Sequence, residues 1–251
     1  MNIQLKTKLS ILAIVAASYA PISSADTIGL YVGSGQWNLD YSGTISQGAD
    51  SIDLVADLGL SEESQNSFYA AFEHPIPGLP NIKVQRQDAN QTVSSTLTRS
   101  FDYGGTTFAL NDTVNTSLDL GHTDLIFYYE ILDNWVSLDL GVNVKYFDGN
   151  INLSTSTDSV SDELDDYVPM LYGRAQFEIP ATNFSIDFET SILTTGSDSL
   201  SDIKAAVAYE TDIGLGAELG FKRINLEVDD LSDIAADLSF EGYYFNVSFH
   251  F

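Results

Sequence analysis

Apolar and polar residues alternate along this chain in a series of short stretches. The cleanest covers residues 135–147, where Val136, Leu138, Leu140, Val142, Val144 and Tyr146 occupy every second position. Successive strand side chains point to opposite faces, so the spacing predicts a strand with one wholly apolar face. The same rhythm predicts strands over 27–41, 68–76, 82 to about 98, 118–132, 167–179, 184–193, 203–211, 215–226 and 243–251. In the first, the alternation slips at Gly33-Ser34-Gly35, which predicts a bulge. Pro77–Asn81, Asp133-Asn134, Pro180–Asn183 and Asp212–Gly214 punctuate the series as short turns. The intervening connections are longer and polar. Short turns on one side and long loops on the other are the rhythm of a closed antiparallel transmembrane β-barrel. Ten strands fit best, with both chain ends on the periplasmic side. Eight is the runner-up, because the first and third strands are the weakest, and a soluble β-sandwich is the alternative architecture.

The two ends of the chain sharpen this reading. Lys6 and Lys8 precede an apolar run from Leu9 to Ala20, and Ser23-Ser24-Ala25 supplies small residues. That is the pattern of a secretory signal peptide over residues 1–25, leaving 26–251 as the barrel. The run is too short for a transmembrane helix, which needs roughly 18 or more apolar residues. At the other end, Tyr243, Phe245, Val247, Phe249 and Phe251 form an aromatic and apolar face opposite Tyr244, Asn246, Ser248 and His250. A terminal aromatic strand of this kind resembles the assembly signal of bacterial outer-membrane barrels, so Phe251 and its strand imply the barrel-assembly machinery as a partner. Outer-membrane lipids and lipopolysaccharide are the others; the oligomeric state stays open.

Composition removes other classes. Of 251 residues none is cysteine, which excludes disulfide scaffolds, thiolate metal sites and cysteine nucleophiles. The formal charge of −26 excludes a nucleic-acid binder that neutralises phosphates. A hydrophobic share of 44% argues against a disordered acidic tail. Much acid lies in the long loops: Asp50, Asp53, Asp57, Glu62 and Glu63; Asp158, Asp162, Glu163, Asp165 and Asp166; Glu227, Asp229, Asp230, Asp233 and Asp237. This reads as a solvated, self-repelling surface, since no calcium-loop spacing accompanies it. Within the first loop, residues 51–60 have the pattern of one or two helical turns ending near Gly59, placed to cap the barrel mouth.

The alternation also assigns the interior. With Leu125, Phe127, Tyr129 and Ile131 facing lipid, Asp124, Ile126, Tyr128 and Glu130 face the lumen. The strand after it adds Ser137, Asp139, Asn143 and Lys145, while Leu138, Leu140 and Val142 face lipid. Later strands add Tyr172, Arg174, Gln176, Glu178, Asp187, Glu189, Lys204, Glu210, Glu218 and Lys222. Both signs of charge inside a small barrel predict interlocked ion pairs, with Asp139, Glu130 and Glu178 as nearest acids for Arg174 and Lys145. The expected protein is a structural or closed barrel, or a narrow conduit that weakly favours cations. An enzyme acting on lipid A or peptides is the alternative. Its one candidate dyad, His122 with Asp124, lies near the outer rim on one strand face, but no nucleophile elbow accompanies it. No catalytic residue, metal or cofactor is therefore expected. His74 and His250 fall at the periplasmic end.

Several stretches together resemble a family of small, functionally uncharacterised outer-membrane β-barrels of Gram-negative bacteria. They are residues 72–83, 127–149, 169–180, 203–211 and 215–223, with the terminal His250-Phe251. The resemblance spans the mature chain and implies the barrel and its location. It implies no activity or substrate.

Overall fold

The computed structural model describes residues 28–48, 50–231 and 234–251, with the side chains of 230–234 set aside. The segment read as a signal peptide lies outside the described residues. In chain order the strands are β1 (Gly29–Gln47), β2 (Ser51–Asp53), β3 (Glu63–Glu73), β4 (Asn81–Gln87), β5 (Asn90–Thr96), β6 (Phe101–Tyr103), β7 (Thr106–Phe108), β8 (Thr113–Asp119), β9 (His122–Leu132), β10 (Val136–Ser154), β11 (Ser159–Glu178), β12 (Phe184–Thr195), β13 (Asp198–Glu210), β14 (Leu215–Leu231) and β15 (Ile234–His250). Ten of them, β1, β3, β4 and β9 to β15, form one antiparallel ring, closed where β10 pairs β11. β1 meets β15 from Tyr31↔His250 to Gln47↔Ile234, and the Phe251 N–H donates to Leu30 O at 2.9 Å. The chain's last residue thus ties the two end strands together.

Exposure fixes the register. Leu140 and Val142 are 49% and 44% exposed on the outer face, while Asn143 and Lys145 are 2% and 0% exposed inside. Phe188, Leu219, Phe245 and Val247 continue the outward apolar belt. β1, β10 and β11 are 19, 19 and 20 residues long. That is well beyond the roughly 9–11 a membrane crossing requires. Their far ends therefore rise above the membrane on the side of the long loops.

In this raised part the chemistry inverts. Trp37, Leu39 and Tyr41 on β1, Ile224 on β14, and Leu238 and Phe240 on β15 point inward and are buried. Within the membrane, lipid is the apolar neighbour and the lumen is polar; above it, water is outside and the apolar residues turn in. This inversion accounts for the slip at Gly33-Ser34-Gly35. The predicted bulge is absent: β1 pairs β15 in one unbroken register through it. The glycines serve close approach instead, since a Cβ at Gly33 would sit 2.2 Å from the Tyr69 ring.

The weak third strand has a cause as well. It is two strands, β4 and β5, interrupted at Asp88-Ala89, beside β9 and β8, interrupted at Leu120-Gly121. β10 passes from β9 to β8 as its neighbour at this level, between Phe147↔His122 and Asn150↔Asp119.

Candidate functional site: a capped and layered lumen

The lumen is built in three layers. The uppermost is apolar. Between β2 and β3 the chain makes one helical turn: Asp57 N–H donates to Asp53 O at 3.1 Å and Gly59 N–H to Val55 O at 3.0 Å. Asp53 Oδ1 starts the turn by accepting the Val55 and Ala56 N–H groups at 2.9 and 2.7 Å. Gly59 ends it at φ +77°, a conformation that favours glycine. Ile52, Leu54, Leu58 and Leu60 are no more than 1% exposed, so the turn drives its apolar side into the barrel mouth. The expected cap is present, and its leucines pack into the apolar core of the barrel mouth; it is called the plug below.

A second piece of this layer was missed in the sequence reading. β6 and β7 form a small hairpin that buries Phe101, Tyr103 and Phe108 in the same core. The signal was there: Gly104-Gly105, both at positive φ, between two aromatic stretches is a two-residue hairpin turn.

One charged contact anchors the plug. Arg99 Nε donates to Asp57 Oδ1 at 2.9 Å. Burial opposes the charged carboxylate, but the Arg99 guanidinium and the Asp53 N–H outweigh it and hold Asp57 below the usual carboxylate range. A depressed pKa contributes stability above the unfolded value, about 3.9, which is lost as pH falls through the folded one. Asp57→Asn should therefore lower the urea midpoint at neutral pH, and the gap to wild type should close below about pH 4. A gap that is constant with pH would show that the pair does not anchor the plug.

Beneath the plug lies a buried ion network. Lys145 Nζ is 2.8 Å from Asp124 Oδ1 and 3.0 Å from Asp202 Oδ2. Lys222 Nζ is 3.5 Å from Asp202 Oδ2 and 4.9 Å from the centre of the Trp37 ring. Asn143 Nδ2 donates to Asp124 Oδ1 at 2.8 Å and to Ser191 Oγ at 3.1 Å. His122 Nδ1 faces Leu120 O at 3.2 Å, and its Nε2 is 3.8 Å from Asp124 Oδ2. Ligand atoms of His122, Asp124 and Asp202 lie within 4.8 Å of one another. The Lys145 ammonium already bridges the two carboxylates, so this set does not fit a metal ion.

The lowest layer is a cavity of about 500 Å³ reaching the rim formed by Asp133, Thr182, Asn183 and His250. Arg174 Nη2 pairs with Asp187 Oδ2 at 2.6 Å, and its Nη1 is 3.8 Å from Asp139 Oδ2. Glu189 holds Lys83 at 2.9 Å and Lys204 at 3.4 Å, and Lys204 also donates to Gln85 Oε1 at 3.1 Å. Tyr244 bonds Glu218.

All eight acids and bases expected as the lumen cluster face inward, but in two places. Asp124 and Lys145 belong to the buried network; Glu130, Asp139, Arg174, Glu178, Lys204 and Glu210 line the cavity. The expected partners need correction. Asp139 lies beside Arg174, whereas Lys145 takes Asp124 and Asp202 instead of Glu130 or Glu178. Glu130 and Glu178 stand closer to the periplasmic rim, too low on their strands. Asp202 was missed because it is one residue outside the predicted strand 203–211. Lys83 was missed because its strand received no register, although outward Ile82 and Val84 would have turned it inward. The His122–Asp124 pair is not at an open rim. The two are 1% and 3% exposed, under the plug. His74 is fixed in its turn, with Nε2 3.2 Å from Pro80 O. His250 stacks on Tyr31 at 4.0 Å.

A closed ring with an apolar belt and a polar lumen defines an integral outer-membrane β-barrel. No family model matches the chain, and no curated protein does. Among solved structures, the chain is similar to the outer membrane protease OmpT from Escherichia coli, at 9% identity and TM-score 0.53, covering 91% of this chain and 99% of that one. The translocator domain of autotransporter NalP from Neisseria meningitidis matches at 11% identity and TM-score 0.42, covering 92% and 91%. The likeness to OmpT shows a shared β-barrel fold.

Proposed function

We propose that the protein is a non-enzymatic outer-membrane barrel, shut on its outer side and open to the periplasm. The observation that carries this reading is the plug, whose Leu54 and Leu58 are fully buried in the mouth. Long side chains of both signs beneath it add obstruction. In planar bilayers the wild-type protein should give no large, stable conductance. Removing residues 52–60 should raise it, and the acid excess of the lumen should then favour cations. Large, stable, anion-selective conductance from the wild type would overturn the closed reading.

Burial of His122 and Asp124 argues against a hydrolytic dyad, because substrate would have to displace the plug. His122→Ala should leave lipid A unaltered in mass spectra of extracted outer membranes; altered lipid A would favour the enzyme. The outward aromatic face of β15, with Phe251 at its end, fits recognition by the assembly machinery. Phe251→Ala should sharply reduce the heat-modifiable protein recovered from outer membranes. Unchanged recovery would remove that role.

A further inference from the structure

The ring of strands is not closed to its full height. β11 pairs β10 along its length, from Ser159↔Ser154 to Phe177↔Val136. Its pairing with β12 runs only from Leu171↔Ile192 to Glu178↔Ser185. Above Leu171, residues 159–170 therefore have a strand neighbour on one side alone among the described residues. Strand geometry shows which backbone groups are left over. Along an antiparallel strand, the N–H and C=O groups of successive residues point to opposite neighbours. Glu178 N–H donates to Trp135 O at 3.0 Å, towards β10, and Ile179 N–H donates to Phe184 O at 2.9 Å, towards β12. Both pairings of β11 run in one unbroken register, so its odd-numbered residues turn their backbone groups to the β12 side. For Ser159, Ser161, Glu163 and Asp165 that side holds no strand among the described residues. Two odd positions below them are already blunted: Tyr167 N–H donates to Asp166 Oδ1 at 2.8 Å, and Pro169 has no N–H.

A row of unpaired backbone groups is a template for another strand. The charge of this edge selects the occupant. Asp162, Glu163, Asp165 and Asp166 lie on it, and the chain has no lysine or arginine between Lys145 and Arg174. Glu163 and Asp165 are exposed on the same face as Tyr167, which is 63% exposed and stacks on Tyr146 at 4.5 Å. Alternate side chains of an added strand would lie beside that face, where carboxylates and an open ring favour lysine and arginine. The opposite row, Val160, Leu164 and Val168, is half-buried against the core and offers no second face to a partner. A second copy of this chain fits poorly. Two barrels rising to the same side of one membrane would bring their β11 edges together in parallel, with the acids of one level with the acids of the other, and like charges so placed repel.

We propose that the raised edge of β11, from Ser159 to Asp165, captures an extended peptide segment rich in lysine or arginine, which joins the barrel as an added strand. The proposal does not depend on the barrel being shut, because the edge lies outside the lumen. The test is fluorescence anisotropy of a labelled octapeptide of alternating lysine and threonine, titrated with the folded protein in an uncharged detergent. Saturable binding is expected. The same peptide methylated at every backbone nitrogen keeps its charge but cannot donate to a strand, and it should bind about tenfold more weakly or worse. Ser161→Pro removes an N–H that faces the free edge while leaving the β10 pairing and the charge intact, and it should weaken binding by a similar factor. Glu163→Gln combined with Asp165→Asn should weaken binding and reduce its dependence on salt. Glu227→Gln, on β14, should leave it unchanged. Heat-modifiability shows that each variant is folded, and the methylated peptide serves if Ser161→Pro is not. No saturable binding would overturn the proposal. Equal binding of the two peptides would overturn it as well, since the acids would then attract a cation without any strand pairing. So would undiminished binding by folded Ser161→Pro, or an equal loss in Glu227→Gln. Bilayer conductance on the same preparation reads the closed barrel separately, so either proposal can fail while the other stands.

Discussion

Lys145→Met should produce the largest loss of stability of any single change considered for this protein, about 3–5 kcal/mol. Lys145 is fully buried between Asp124 and Asp202, which are themselves almost inaccessible. Methionine keeps much of the volume and removes the charge, leaving two carboxylates in a site from which water is excluded. The two do not suffer equally. Asp202 retains Lys222 at 3.5 Å, whereas Asp124 keeps only the Asn143 amide and a histidine whose ring nitrogen is 3.8 Å away. Adding Asp124→Asn to Lys145→Met should therefore recover a substantial part of the loss. The urea midpoint of the folded barrel, read by its heat-modifiable band, measures both. A wild-type midpoint in Lys145→Met would mean that the ion network does not hold the middle of the lumen together.

Leu140→Arg should follow, at about 2–4 kcal/mol, because it places a guanidinium in hydrocarbon near the membrane midplane. Ser137→Arg, three residues earlier, should cost little, since Ser137 borders an acid-rich cavity open to water. Alternation alone would have offered Asn143 as the tolerant inward position. The structure changes that choice: Asn143 is 2% exposed and bonded to Asp124 and Ser191. Arginine there would overfill a packed site, at about 1–3 kcal/mol, and add a cation beside Lys145. Equal damage from Leu140→Arg and Ser137→Arg would mean that the faces are exchanged by a one-residue slip.

The contrast between Ser137 and Asn143 marks where sequence reasoning stops. Both are inward by the same two-residue period, and that period comes from the geometry of a single strand. Strand identity, the outward face of β10 and the short turns are local properties of this kind, so consecutive residues were enough to read them. The turn at Asp53–Gly59 was legible for the same reason, from its leucine spacing and terminal glycine. The inward position of Asp124, Lys145 and Arg174 followed too.

Other features depend on what lies across the barrel. Lys145 meets Asp202 from a strand 57 positions away in sequence, and Lys83 meets Glu189 at a separation of 106. No spacing rule spans such distances, because strand tilt and stagger decide which lumenal side chains stand at one height. The apolar inversion above the membrane was present in the sequence as the slip near Gly33, but its meaning required knowing how far β1 rises past the lipid. The sequence by itself determined a ten-stranded barrel, its lipid face and its charged interior, since each follows from alternation and turn chemistry along the chain. Only the tertiary structure decided that the leucines of the turn are buried in the barrel mouth and that the charges split into a buried network and an open cavity. Those outcomes are set by contacts between strands, which the order of residues does not encode locally.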